Sequence, residues 1–204
     1  MDADVLRDFS LSVARGESVA VMGPSGRGKS TLMGVAGLML APQSGRVFVN
    51  GIARTTKDAS RLLGREIGVV LQSVNVLPRR SVLDNTMLPL LSSGYGRDIA
   101  ARRAARCLAE VGIDPADFGR QARGVSGGQA QRVGVARALV GEPSVLLADE
   151  PTASLDARTA RLVGEALFSA ARSTALVLMT HDETLGGLAD RIVRIGETSD
   201  IEGE

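Results

Sequence analysis

The sequence predicts an α/β fold: a mostly parallel sheet with helices on both faces, a small antiparallel β edge and an inserted α-helical stretch near the middle of the chain. Three observations carry this. Short apolar runs of strand length alternate with longer helical stretches, the pattern of a parallel sheet whose crossovers are helices. A glycine-rich turn joins the first apolar run to a helix. A later apolar run, residues 145–148, contains no polar residue, as a strand buried on both faces requires, and ends in two adjacent carboxylates.

In chain order, residues 18–22 form the first strand and residues 29–38 the helix after the glycine-rich turn. Gly45 opens a β stretch at 46–50, closed by Gly51 as at the edge of a hairpin. Residues 67–71 are the next strand. The chain then turns helical at about 82–91, 98–111 and 128–140, and residues 73–135 read as a subdomain inserted into a core made of 1–72 and 136–204. Strands at 145–148 and 175–179 flank a helix at 156–171, and residues 192–195 close the sheet. The polar tail, 196–204, is expected to fray.

Length and charge narrow the function. A chain of 204 residues suits one domain, with or without a subdomain. Its 24 basic and 23 acidic residues leave a net charge of +1 with no basic stripe, which argues against a nucleic-acid partner. Cys107 is the single cysteine, so no internal disulfide forms, and its place in a helical stretch suits a packing role. The first residues, Met-Asp-Ala-Asp, lack the basic and apolar segments of a secretory signal. The charge-free run at 31–45 is shorter than a membrane span and holds Gly34, Gly37 and Pro42. Any transport role therefore needs another polypeptide in the bilayer. Lysine occurs only at Lys29 and Lys57 among the 24 basic residues, so a lysine kept in an arginine-rich chain draws notice.

Lys29 stands in Gly23-Pro24-Ser25-Gly26-Arg27-Gly28-Lys29-Ser30, followed by Thr31, a full phosphate-binding loop pattern with strand before and helix after. The glycines let the backbone wrap closely and aim N–H groups at phosphate oxygens, and the helix adds its positive end. Lys29 supplies a mobile charge for the β- and γ-phosphates of ATP, and Ser30 a hydroxyl for Mg²⁺. The acids ending the 145–148 run, Asp149 and Glu150, stand where ligands bind in open α/β sheets. Asp149 is the candidate for Mg²⁺, directly or through water, and Glu150 the general base or water-orienting group. By itself, such a strand end is equally a strand meeting a solvated loop.

Val125-Ser126-Gly127-Gly128-Gln129 offers a second set of free N–H groups at a helix start, or simply a helix capped by Ser126. With Ala130-Gln131-Arg132 behind it, the segment resembles the signature of the ABC (ATP-binding cassette) family, apart from valine in the first place. Other stations of that family follow in order. Gln72 stands after the 67–71 strand like the Q-loop glutamine, Ser154-Leu155-Asp156 resembles the D-loop, and Thr180-His181-Asp182 resembles the switch histidine turn. His181 is the sole histidine; its place at a strand end favours contact with the γ-phosphate over an incidental role.

The resemblance spans residues 5–195 and implies a P-loop NTPase core, ATP hydrolysis with Mg²⁺, and two copies packed head to tail. Each ATP would lie between the phosphate loop of one chain and Ser126–Gln129 of the other, with Gln72 sensing metal and water. It further implies a separate membrane permease and a peripheral location on the cytoplasmic face of a bacterial membrane. One feature departs from the family, which places an aromatic ahead of the phosphate loop to stack on adenine. The only earlier aromatic is Phe9, in a core-like run. Either the chain starts downstream of the stacking residue or it binds adenine without one, with weak discrimination between ATP and GTP.

Within the family, the runs 72–78, 82–91, 147–152 and 180–182 resemble ATPases of lipoprotein-release and macrolide or peptide efflux systems. The ATPase of the cell-division complex, and soluble ABC proteins without a transport role, are the alternatives. The stretch at 73–95 is expected to dock the permease through an exposed rim that includes Arg79, Arg80 and Asn85.

Overall fold

The computed structural model describes residue 6 and residues 8–24, 26–73 and 75–195. Expectations for the first four residues, Ser25 and the 196–204 tail lie outside these.

Five strands form one parallel sheet: β1 (Ser18–Met22), β4 (Ile67–Val70), β5 (Val145–Asp149), β6 (Ala175–Thr180) and β7 (Arg191–Arg194), in the order β4-β5-β6-β1-β7. All four pairings are parallel, so every connection is a crossover that carries helix. A hairpin of β2 (Val47–Val49) and β3 (Ile52–Arg54) is the antiparallel element, turning at Asn50 and Gly51, both at positive φ. The helices are α1 (Lys29–Ala36), α2 (Ala59–Leu62), α3 (Val82–Ser92), α4 (Arg97–Glu110), α5 (Gly127–Leu139), α6 (Ala157–Ala171) and α7 (Glu183–Gly186).

Alternation along the central strands explains why both sheet faces are covered. Leu146, Ala148, Leu176 and Leu178 point to one face and pack with Val133 of α5 and Val163 and Leu167 of α6. Leu147, Val177, Met179 and Val21 point to the other and pack with Met33 of α1 and Leu38. Phe9 also packs on that second face, the core position its sequence neighbours suggest. A third cluster, with Met87 and Leu90 of α3, Ala100 and Ala104 of α4, and Val140, binds the helical middle together. Cys107 packs within α4, and burial pushes its thiol up to about 11.

Two differences from the expected elements have local causes. Helix α1 stops at Ala36 because Gly37 caps it and Leu38 turns left-handed (φ 60°), with the N–H groups of Met39 and Leu40 returning to the Gly34 carbonyl. The one-turn helices α2 and α7 were not expected; four residues are too few to display a helical period. Asp182 caps α7 by accepting from the N–H groups of Thr184 and Leu185.

Asn85 corrects the expected docking rim. It is 0% exposed, and its amide accepts from Leu77 N at 2.7 Å and donates to the carbonyls of Leu77 and Ser81 at 3.1 and 2.9 Å. It pins the turn that presents Arg79 and Arg80, which are exposed.

Candidate functional site

Glycine shapes the loop between β1 and α1. Gly23, Gly26 and Gly28 have φ of 156°, 79° and 97°, where a side chain is strained. At Gly23 a Cβ would also stand 2.3 Å from the Ile195 carbonyl oxygen, so the loop runs against the chain leaving β7. Gly28 is the N-cap of α1, which has no side-chain cap and no acid in its first turn. The first N–H groups of this helix therefore find no partner in their own cap. Lys29 is buried, and its Nζ donates to the carbonyls of Gly23 and, at 3.0 Å, Pro24. Pro24, Gly26, Arg27 and Ser30 are exposed and Thr31 half-buried. Backbone donors, a positive helix end and a lysine in one turn fit a polyphosphate.

The acids meet this loop directly. Ser30 Oγ donates to Asp149 Oδ2 at 3.0 Å. Burial pushes the Asp149 carboxyl above its ordinary value; the Ser30 bond opposes that, the Glu150 charge adds to it and Lys29 opposes it. A cation beside Asp149 would relieve that burial cost. Among the described residues no group of three or more His, Cys, Asp or Glu side chains can hold a metal. One carboxylate, one hydroxyl and substrate phosphates are, however, the usual ligands of Mg²⁺, which seldom uses an all-protein cage. The residues present fit that ion.

Glu150 follows in the left-handed region (φ 44°), a conformation costly for a residue with a side chain and typical of functional turns. Its N–H donates to Met179 O at 2.9 Å, which fixes the turn on the neighbouring strand. The Glu150 carboxylate is 2.7 Å from His181 Nδ1 through Oε1 and accepts from Thr180 Oγ1 at 3.3 Å through Oε2. The His181 side chain is 70% exposed and that of Glu150 only 10%, so the histidine lies on the solvent side of the acid. Parallel register produces this meeting: Asp149 pairs with Met179 and Met22 with Thr180, which puts the phosphate loop, the acids and the histidine together at the C-terminal end of the sheet. Gln72, exposed two residues beyond β4, stands at the same end of the sheet.

A second group forms elsewhere. Ser126 caps α5 in a reciprocal box: its Oγ accepts from Gln129 N at 3.2 Å, and Gln129 Oε1 accepts from Ser126 N at 3.0 Å. Gln129 Nε2 also donates to Asp117 Oδ2 at 3.1 Å. The bland reading of Ser126 as a cap is therefore correct as far as its hydroxyl goes. The N–H groups of Gly127 and Gly128 remain in the first turn, where no intrahelical acceptor exists. Asp156 caps α6 through Thr159 N (3.0 Å) and Thr159 Oγ1 (2.7 Å), which hold its carboxyl below the usual range. The two helix starts adjoin, since a Cβ on Gly128 would stand 3.3 Å from Leu155 Cδ2. Among the described residues no hydrogen bond or ion pair joins this group to the phosphate loop.

Sequence reasoning missed Thr180, Gln131 and Arg137. Thr180 reads as the end of a strand, and only the parallel register of β5 and β6 sets it beside Glu150. Gln131 donates to Leu71 O at 3.3 Å and Arg137 to Asn75 O at 2.8 Å. Both sit inside a regular helix, where nothing local distinguishes them.

Comparison with known proteins agrees with this geometry. Residues 6–153 match the ABC transporter family. The lipoprotein-releasing system ATP-binding protein LolD of Bordetella pertussis is 45% identical over 195 residues, covering 92% of this chain and 83% of LolD. The uncharacterized ABC transporter ATP-binding protein YknY of Bacillus subtilis is 38% identical over 196 residues, covering 94% and 85%. Two dimeric structures of the ATP-binding cassette MJ0796 superpose with 31% identity, each covering 94% of this chain and 86% of MJ0796. Their TM-scores are 0.88 for the bacterial ABC transporter cassette and 0.85 for the post-hydrolysis state bound to ADP and Pi. A phosphate cradle, a serine–aspartate contact, a glutamate–histidine pair and a separate glycine-rich helix start, on this fold and with these relatives, lead to one conclusion: the chain belongs to the ABC transporter family, as an ATP-binding ATPase subunit.

Proposed function

We propose that this chain hydrolyses Mg²⁺–ATP between two copies of itself and drives a separate membrane permease that releases or exports lipoproteins or peptides. The observation that carries the chemistry is the joined pair of contacts at the C-terminal end of the sheet, Ser30 to Asp149 and Glu150 to His181. In this reading the loop N–H groups and Lys29 hold the phosphates, with Lys29 exchanging the Gly23 and Pro24 carbonyls for phosphate oxygens. Ser30, Asp149 and Gln72 hold the magnesium ion, which when bound neutralises charge on the phosphates. Glu150 orients the attacking water and takes its proton, His181 contacts the γ-phosphate, and Ser126–Gln129 with Asp156 of the other copy complete the site. The separation of the two groups within one chain supports that division. Among the described residues no helix is long and apolar enough to cross a membrane, which fits a peripheral subunit at the cytoplasmic face. The lipoprotein assignment rests on the likeness to LolD.

The proposal includes a helical unit at 73–135 inserted into a core of 1–72 and 136–204, with 73–95 facing the permease. A cleft of about 260 Å³, lined by Leu71, Asn75, Pro89 and Arg137 among others, lies beside this segment. The decisive experiment is Glu150→Gln. It should bind ATP yet lose at least about a hundredfold in kcat, the usual size of a lost general base, and accumulate as an ATP-bound dimer by light scattering. Turnover at the wild-type rate would remove Glu150 from the mechanism.

A further inference from the structure

Helix α5 begins at the Ser126 turn, and its body lies against β4, the strand that leads to Gln72. The approach is close, for a Cβ on Gly68 in mid-strand would stand 2.6 Å from the Ala138 carbonyl oxygen. From this seated helix two long polar side chains reach beyond the strand end. Gln131 Nε2 donates at 3.3 Å to the carbonyl of Leu71, immediately before Gln72. Arg137 Nη1 donates at 2.8 Å to the carbonyl of Asn75, three residues after it.

Neither bond belongs to a helix or sheet ladder, and they commit a buried amide and a half-buried guanidinium. Gln131 is 3% exposed. Burial alone draws the Arg137 guanidinium below the ordinary arginine range, with no described carboxylate offsetting it. An apolar residue at either place would cover the same surface without desolvating an amide or a charge.

We propose that Gln131 and Arg137 are positioning residues for hydrolysis, holding both flanks of the loop that carries Gln72 and so setting where its side chain meets phosphate and water. This rests on the role given to Gln72 in the proposed function. The same helix starts at the turn assigned to the other copy's nucleotide, so that turn and the Gln72 loop share one support.

The test is steady-state ATPase kinetics of Gln131→Leu, Arg137→Met and Arg137→Lys, alone and combined with Gln72→Ala, beside ATP binding by calorimetry and thermal melting. Losing one such bond should lower kcat roughly three- to tenfold, with ATP affinity unchanged and Arg137→Lys recovering part of the loss. In the Gln72→Ala background Gln131→Leu should cause no further loss, because both act on one loop. Unchanged kcat in Gln131→Leu and Arg137→Met, or losses that add fully to that of Gln72→Ala, would overturn the proposal. Should Arg137→Met fail to fold on melting, Gln131→Leu still decides. If Gln72→Ala alone leaves kcat intact, the role of Gln72 fails first and this proposal with it, and that single variant tells the two failures apart.

Discussion

The turns at Gly28 and Ser126 are both glycine-rich helix starts, yet they are finished in different ways. Gly28 brings no side-chain cap to α1, and the polar groups around it are buried or turned on one another: Lys29 on the loop carbonyls, Ser30 on Asp149. Ser126 caps its own helix through a reciprocal box with Gln129, and both Ser126 and Gly127 are exposed. The first turn is unfinished without an anion. The second is already stable as a helix end and offers only its spare N–H groups. A loop of the first kind is built for a ligand, whereas a turn of the second kind can wait on the surface until another molecule brings the ligand to it.

The comparison breaks most readily at Lys29. Lys29→Ala should weaken ATP binding by about 10- to 100-fold, the range for losing a charged hydrogen bond, while the melting temperature without nucleotide barely changes. Calorimetric titration beside a thermal melt checks both halves. Ser126→Ala should do the reverse, costing about 0.5–2 kcal/mol of stability through the lost cap and leaving ATP affinity of the isolated chain intact. Urea unfolding measures it; an Ser126→Ala protein as stable as wild type would mean that the box contributes nothing. The smallest effect concerns Asp149. Its buried carboxyl keeps a proton to higher pH in the folded chain than in the unfolded one, where 3.8 is the ordinary value. Its contribution to stability is therefore greatest in acid and declines as pH rises through the raised native pKa. Asp149→Asn should remove that decline, seen as a flatter stability profile above about pH 4 in nucleotide-free protein.

How far the sequence could be read depended on whether a feature was local. The glycine-rich loop, the acids at the end of β5 and His181 lie in runs of adjacent residues whose types dictate their geometry, and each lies at the strand end expected of it. Contacts made by packing were hidden. Asn85 read as a rim residue because a polar side chain in an amphipathic helix is ordinarily solvated; only the fold shows four backbone atoms converging on it. Thr180 reads as a strand residue until parallel register sets it beside Glu150. Gln131 and Arg137 need α5 placed against β4 before their targets exist. The left-handed Glu150 is likewise a product of the strand-to-loop turn, since no residue type near it announces a positive φ.

The central claim is that the two helix starts act together only across two copies of the chain. Gly127→Asp tests this with little disturbance to the fold, because nothing lies within 4 Å of a Cβ there and an acid in the first helical turn is favourable. Its carboxylate would repel a phosphate at the spare N–H groups. Lys29→Ala and Gly127→Asp should each be inactive alone, since every site in either homodimer carries one damaged half. Mixed in equal amounts they form heterodimers in which one site has an intact phosphate loop from one chain and an intact Ser126 turn from the other. The account predicts that ATPase activity returns on mixing, to about a quarter of the wild-type level for random pairing of a two-fold dimer. A mixture no more active than its separate components would contradict it, and would mean that each chain uses both turns by itself.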